Sequence, residues 1–205
     1  MSGVFVTGTD TGVGKTLACA VLARAWDADY WKPVQTGLAA EAGDTAVVAA
    51  LTGLAPERLH RPRHEYAAPL SPHAAAALEG AAIGLDDFVL PRTSRPLVVE
   101  GAGGVLVPLN GRDLMIDLMA RLDLPAVVVA RSTLGTINHS LLTLEALRAR
   151  QIAVLGVVLS GPPSPGNRAA IEDFGRVKVL AQIPPLDVVD AAAVAALAAD
   201  VASLG

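Results

Sequence analysis

The stretch Val4-Phe5-Val6-Thr7-Gly8-Thr9-Asp10-Thr11-Gly12-Val13-Gly14-Lys15-Thr16 decides the fold. Val4 to Thr7 reads as a buried strand and Thr16 to Trp26 as the helix that follows it, so the glycine-rich turn sits between a strand and a helix. A phosphate-binding loop belongs at such a place. Successive backbone N–H groups cradle phosphate oxygens there, and the helix N-terminus adds positive potential. Lys15 would reach the terminal phosphates and the Thr16 hydroxyl would serve Mg²⁺. The spacing departs from G-x-x-x-x-G-K-[ST]: Gly8 and Gly14 stand one residue further apart, and Thr9 occupies the place of the first glycine. The competing reading is a plain glycine-rich turn ahead of an amphipathic helix. The order strand, Gly14-Lys15, Thr16 favours the phosphate loop.

Outward from this loop, short apolar runs alternate with helical patterns. Tyr30 to Val34, Leu97 to Glu100, Ala126 to Ala130, Val154 to Leu159 and Val177 to Ile183 read as strands. Asp44 to Leu51, Asp113 to Leu122, Asn138 to Arg150 and Asp190 to Leu204 read as helices, with Asp44 placed to cap the first. Ser71 and Pro72 look like an N-cap and first helical residue of a helix to about Glu79, and Leu54 to Ser71 reads as a long loop. Fully apolar strands separated by helices imply an α/β protein whose mostly parallel sheet is covered by helices on both faces. We expect one domain over residues 1–205. Ligands of such sheets bind at the carboxyl ends of the strands. Polar and glycine-rich residues collect at those ends here: Gly8–Thr16, Lys32-Pro33-Val34-Gln35-Thr36, Glu100 with its glycines, Arg131-Ser132-Thr133, and Ser160-Gly161.

The 205 residues are 52% hydrophobic and 18% charged, with a mean hydropathy of +0.47, which excludes a disordered chain. A net charge of −4 argues against a basic nucleic-acid-binding face. The one cysteine, Cys19, excludes an internal disulfide and a CxxC metal site, and it reads as a core residue of the first helix. Neither a bilayer-spanning run nor a signal sequence is evident, so a cytoplasmic location with no membrane partner is expected.

Three further residues carry chemistry. Only three of the 16 Lys and Arg residues are lysines, and two of them, Lys15 and Lys32, lie at the ligand edge. A compact ammonium differs there from a planar guanidinium. Glu100, ending a buried strand, resembles a Walker B carboxylate, although Asp is usual. Asp44 is an ordinary N-cap as read from the residues alone. None of His60, His64, His73 and His139 pairs at metal-ligand spacing with another histidine or a cysteine.

The stretches VTGTDTGVGKT, KPVQTG, Gly43-Asp44, Ser71-Pro72-His73, VEGAGG, LGTINHSLLT (Leu134 to Thr143) and IPPL (Ile183 to Leu186) together resemble the ATP-dependent dethiobiotin synthetases of biotin biosynthesis, in order along nearly the whole chain. The longer glycine spacing and the strand-ending Glu100 are features of that family. The resemblance implies an ATP-dependent cyclo-ligase that is P-loop NTPase-like in fold, acting on diaminopelargonate and CO₂ or bicarbonate. It also implies residue roles. Thr16, Asp44 and Glu100 would hold Mg²⁺. Lys15, Lys32 and Thr11 would be catalytic. Gly12, Val13, Gly14, Lys15, Thr16, Leu17, Asp44, Glu100, Gly101, Ala102, Gly103, Ser160, Gly161, Pro184, Pro185 and Leu186 would bind the nucleoside triphosphate. Thr36 would bind substrate, and Gly135, Thr136 and Asn138 would reach the substrate carboxylate across a homodimer interface. Asn138 also reads as a helix N-cap. The family often carries Asn where this chain has Ser160, which opens the nucleotide preference to triphosphates other than ATP.

Three other classes compete. A partitioning-type switch would carry K-G-G-x-G-K, where this chain has Thr9 and Asp10. A GTPase would show N-K-x-D after a strand. A corrinoid-type amide synthetase would need a further glutaminase domain.

Overall fold

The computed structural model describes residues 3–202, in which seven parallel strands form one sheet. The chain begins with β1 (Gly3–Gly8), buried along its whole length, and α1 (Lys15–Ala25). The second strand differs from the expected single run Tyr30 to Val34. It divides into β2 (Asp29–Trp31), in the main sheet, and β3 (Val34–Gln35), outside it. Pro33 has no N–H to give a ladder, and the break falls at Lys32-Pro33. α2 follows (Asp44–Thr52).

The expected long loop from Leu54 to Ser71 holds structure. A 3₁₀ turn at Pro56–Arg58 leads into β4 (Leu59–His60), which pairs with β2, and β5 (His64–Glu65) pairs with β3. Two-residue strands carry no periodicity that a sequence could reveal. α3 (Pro72–Leu78) starts with proline at its first position as expected, but the Ser71 hydroxyl turns to His73 Nδ1 at 3.0 Å and caps no backbone N–H.

β6 (Leu97–Gly104) runs on through the glycines that were expected to end it. α4 (Met115–Leu122), β7 (Ala126–Arg131), α5 (Thr136–Ala149) and β8 (Val154–Ser160) follow. α5 begins two residues earlier than expected, so Asn138 is not its N-cap; Gly135 is. α6 (Pro165–Gly175) was not foreseen, because Pro162, Pro163 and Pro165 resemble a loop although Pro165 opens the helix. β9 (Val179–Ile183) starts two residues later than expected. α7 (Ala191–Ala199) is capped by the Asp190 carboxylate, which accepts the Ala193 N–H at 2.8 Å; the last residues of the expected helix to Leu204 lie outside those described.

The strand order is β4-β2-β6-β1-β7-β8-β9. α1, α2 and α7 share one apolar cluster with the sheet, built on Val4, Val6, Leu22, Val98 and Val194. α3, α4, α5 and α6 cover the other face around Phe5, Leu118, Leu144 and Ile171. The chain passes from β6 over β1 to β7, so the order reverses beside β1. A crevice opens at such a switch point, at the carboxyl ends of the strands. It lies where the glycine-rich loop leaves β1.

Candidate active site

The loop geometry explains the glycines. Gly14 has φ +93°, a left-handed conformation, and a side chain there would meet the Ser160 hydroxyl at 2.8 Å. Gly103, at φ +67°, would drive a Cβ to 2.7 Å from Val107. The Val13 side chain is buried in the core, which leaves its backbone for the loop. Lys15 bridges the loop and donates to the Asp10 carbonyl at 3.0 Å. Arg131 clamps it from β7, donating to Asp10 Oδ2 and to the Thr11 carbonyl, each at 3.1 Å.

Register carries Glu100 to this loop. Val6 of β1 pairs with Glu100 of β6, and Tyr30 of β2 pairs with Val98. Alternation along a strand then puts Glu100 and Tyr30 on one face, as diagonal neighbours. The Tyr30 hydroxyl donates to Glu100 Oε2 at 2.8 Å. The other oxygen, Oε1, lies 3.0 Å from Lys32 Nζ and 3.0 Å from the Thr16 hydroxyl. Lys32 also reaches Asp44 Oδ2 at 2.7 Å and the Gly101 carbonyl at 3.0 Å. Thr16 Oγ1 is 2.8 Å from Asp44 Oδ1. Lys32 is 4% exposed and Glu100 1%, so charges that water would normally solvate are matched by one another.

Asp44 does not cap its helix, as the sequence suggested. Gly43 is the N-cap, no side chain bonds there, and the Asp44 N–H is taken by Gln35 Oε1 at 2.9 Å. The carboxylate is thereby free to face Lys32 and Thr16.

The titration behaviour follows from this packing. Burial works against the Lys32 charge, but Glu100 and then Asp44 outweigh it and hold its pKa above the ordinary lysine value. Burial alone would raise Asp44; Lys32 outweighs it and holds the carboxyl below its ordinary value. Lys15 is pushed below the ordinary lysine value by burial and then by repulsion from Lys32. Burial and Glu100 push the Tyr30 phenol well up, so it stays a donor.

Thr11, Gly12, Gly14, Lys15, Thr16, Leu17, Lys32, Thr36, Asp44, Glu100, Ala102 and Gly103 thus line one cavity of about 480 Å³. A second, of about 460 Å³, shares Thr11, Thr36, Ala102 and Gly103 with it and is walled by Pro69, Leu70, Pro72 and Val107. Ser160 ends β8 with Gly161 next, and Pro184, Pro185 and Leu186 follow β9 at the same sheet edge. Gly135, Thr136 and Asn138 are not brought into these cavities. They lie at the start of α5, whose His139, Leu142 and Ala146 instead line an apolar cavity of about 300 Å³ beside Asp10 and Thr11.

The oxygen set suits a hard divalent cation. The single Thr16 hydroxyl proton faces two carboxylate oxygens and can serve only one of them. Hydroxyl and carboxylate oxygens arranged so are what Mg²⁺ accepts alongside phosphate and water. Among the described residues no three His, Cys, Asp or Glu side chains converge on a metal position.

Sequence reasoning gave Tyr30, Gln35 and Arg131 no role in the site. Gln35 and Arg131 lie within the strand-end segments already singled out, which was a usable signal. Tyr30 gave none, because its partner lies 70 residues away.

This glycine loop, parallel sheet and carboxylate pair define a P-loop nucleotide-binding domain, and a family model described as AAA domain matches residues 2–193. The fold is shared with a ParA family ATPase of Chlorobium tepidum (TM-score 0.54, 12% identity, 97% of this chain and 98% of that one) and with the cell-division ATPase MinD of Pyrococcus furiosus (TM-score 0.50, 16% identity, 98% of each chain). At those identities the likeness concerns the fold alone. Within this class the chain belongs to the ATP-dependent dethiobiotin synthetase family. It is 59% identical over 197 residues to the ATP-dependent dethiobiotin synthetase of Paramagnetospirillum magneticum, covering 96% of this chain and 95% of that protein. It is 48% identical to that of Rhodopseudomonas palustris (strain TIE-1), over 94% and 91%. A biotin biosynthesis bifunctional protein of Bordetella avium is 67% identical over 94% of this chain, which spans only 41% of that protein's length.

Proposed function

We infer that this chain closes the ureido ring of dethiobiotin from diaminopelargonate, CO₂ and ATP. The observation that carries the reading is the cavity at which Lys15, Lys32, Asp44 and Glu100 converge, continuous with a groove walled by Pro69, Leu70, Pro72 and Val107. A triphosphate suits the first and a long aliphatic diamine the second. One amine takes up CO₂ and loses a proton, giving a carbamate. A carbamate oxygen attacks the γ-phosphorus and ADP leaves. The second amine attacks the carbamoyl carbon of the mixed anhydride, phosphate departs, and the ring amine loses its proton.

Phosphoryl transfer needs positioning and charge neutralisation more than a protein nucleophile. The loop N–H groups and Lys15 hold the phosphates. Lys32, kept charged by its carboxylate neighbours, faces the anionic carbamate and the transferring group. Thr11 and Thr36 offer hydroxyls at the border of the two cavities. Mg²⁺, held by Thr16, Asp44 and Glu100, would supply charge neutralisation on the phosphates.

The active unit is a homodimer in this reading, with Gly135, Thr136 and Asn138 at the N-terminus of α5 receiving the substrate carboxylate of the partner's site. Exposed Leu134 and Leu142 on that side support an apolar contact. No helix among the described residues is long and apolar enough to cross a membrane; a cytoplasmic location is part of this reading.

The test is dethiobiotin formation, followed by mass spectrometry alongside phosphate release. Release should require both diaminopelargonate and bicarbonate; release indifferent to them would favour a nucleotide switch instead. For the dimer, a Lys15→Ala and an Asn138→Ala protein, each inactive, should regain activity when mixed, and a fully active monomer in sedimentation would exclude shared sites.

A further inference from the structure

Glu100 presents its two carboxylate oxygens to different surroundings. Oε1 points to the chemistry, 3.0 Å from both Lys32 and Thr16. Oε2 points into the apolar layer between the sheet and α1, where its hydrogen-bond partner is the Tyr30 hydroxyl at 2.8 Å. Tyr30 is fully buried, its ring packed in the same cluster as Leu22 and Val98. The ring is fixed by that packing and by its place in β2, so its hydroxyl is a stationary donor. A carboxylate with one oxygen pinned cannot rotate about its terminal bond or present both oxygens to a cation.

We infer that Tyr30 is a positioning residue for the cation site, holding Glu100 by Oε2 so that Oε1 alone is offered to Thr16, Lys32 and the metal. This rests on the reading of Glu100 as part of the Mg²⁺ shell. Partners that orient a ligating group typically change metal affinity by about 10–100-fold when removed. The neighbouring thiol of Cys19 is a weaker donor and does not replace a phenol.

The experiment measures binding of a non-hydrolysable ATP analogue by calorimetry at a series of Mg²⁺ concentrations and in EDTA, for wild type, Tyr30→Phe, Glu100→Gln and the double variant. Tyr30→Phe should leave the metal-free affinity within about twofold and raise the Mg²⁺ midpoint about tenfold. In the Glu100→Gln background the same change should add nothing. A shift for Glu100→Gln with none for Tyr30→Phe overturns the inference and leaves the cation site standing. No shift for either overturns the cation site itself. A lower melting temperature with an unchanged Mg²⁺ midpoint makes Tyr30 a packing residue and also overturns the inference.

Should Tyr30→Phe fail to fold, a second measurement decides. The chain has two tyrosines, so in Tyr66→Phe only Tyr30 remains. Binding Mg²⁺ with the analogue should then shift the ring resonances of isotope-labelled tyrosine in NMR through Glu100, beyond the change seen with the analogue in EDTA. An unperturbed spectrum would exclude the coupling.

Discussion

Replacing Lys32 by alanine removes the positive charge that lies 2.7 Å from Asp44 and 3.0 Å from Glu100. Two buried or half-buried carboxylates are then left without a counter-ion. Breaking one side of a buried ion pair costs about 3–5 kcal/mol. For a chain of this size that is a fall in melting temperature of about 6–20 °C in EDTA. Mg²⁺ held by Thr16, Asp44 and Glu100, as proposed, would restore positive charge at the same oxygens, so the variant should recover more on adding Mg²⁺ than the wild type does. The pH dependence changes as well. In the wild type Asp44 is held below 3.8, so it contributes stability that is present above its unfolded value and lost as pH falls through its lower folded value. Lys32 is held above 10.5; its contribution is complete below that value and fades as pH rises through its folded one. In the variant both Lys32 contributions are lost, and burial of Asp44 is opposed by the Thr16 hydrogen bond and the Lys15 charge, so its pKa moves up from its wild-type value; the loss of stability is small in acid, where the carboxyl is protonated, and grows as pH climbs through the new value. Turnover should fall by about 10²–10³-fold, the loss expected for one preorganised charge acting on the transition state. Nucleotide affinity should stay within a few-fold when Mg²⁺ is saturating, because Lys15 and the loop amides are untouched. Calorimetric melting across pH with and without Mg²⁺, paired with dethiobiotin formation, measures all of this. A melting temperature within about 2 °C of wild type in EDTA, or near-normal kcat, would refute the role given to Lys32.

Asp44→Asn should raise the Mg²⁺ midpoint of activity by at least about tenfold; an unchanged midpoint would reduce Asp44 to a helix-start residue. Arg131→Ala should weaken nucleotide binding several-fold by freeing Asp10 and Thr11, while changing stability by less than about 1 kcal/mol, because the pair is solvent-exposed; thermal denaturation and titration calorimetry separate the two. Discrimination among nucleoside triphosphates should be weak. Ser160 has one hydroxyl, turned toward Gly14, and the Gly161 N–H and carbonyl are taken by Ile183 and Gln182. CTP, GTP or UTP should support the reaction within about 100-fold of ATP in kcat/KM, and a preference above about a thousandfold would exceed one lost bidentate contact.

The phosphate half of the site was legible because it is contiguous: strand, glycines, Lys15 and Thr16 follow one another and need no tertiary contact to be recognised. The carboxylate half was legible only as separate residues. Lys32, Asp44 and Glu100 could each be named, but the breaks that bring them together are non-local. β2 stops at Trp31, and the Pro33 carbonyl accepts the N–H groups of Arg63 and His64 at 2.9 and 3.1 Å. That contact holds β3 off the main sheet, and Lys32, in the gap between the two strands, enters the site and is not a surface residue past a strand end. The partner segment lies in a stretch that reads as loop, since two-residue strands have no pattern. The Asp44 cap reading failed for the same reason. Local statistics give Asp after Gly to the helix, yet a glutamine nine residues away takes the backbone N–H and releases the carboxylate. A residue that locally would serve secondary structure is freed for the site when a distant side chain does that work, as Gln35 does for the Asp44 backbone; Tyr30 acts differently, bonding the Glu100 carboxylate itself. The site's rigidity is therefore set by β2, β3 and their neighbours, and substitutions in Tyr30 or Gln35 should act on the cation side while leaving the phosphate loop's own geometry intact.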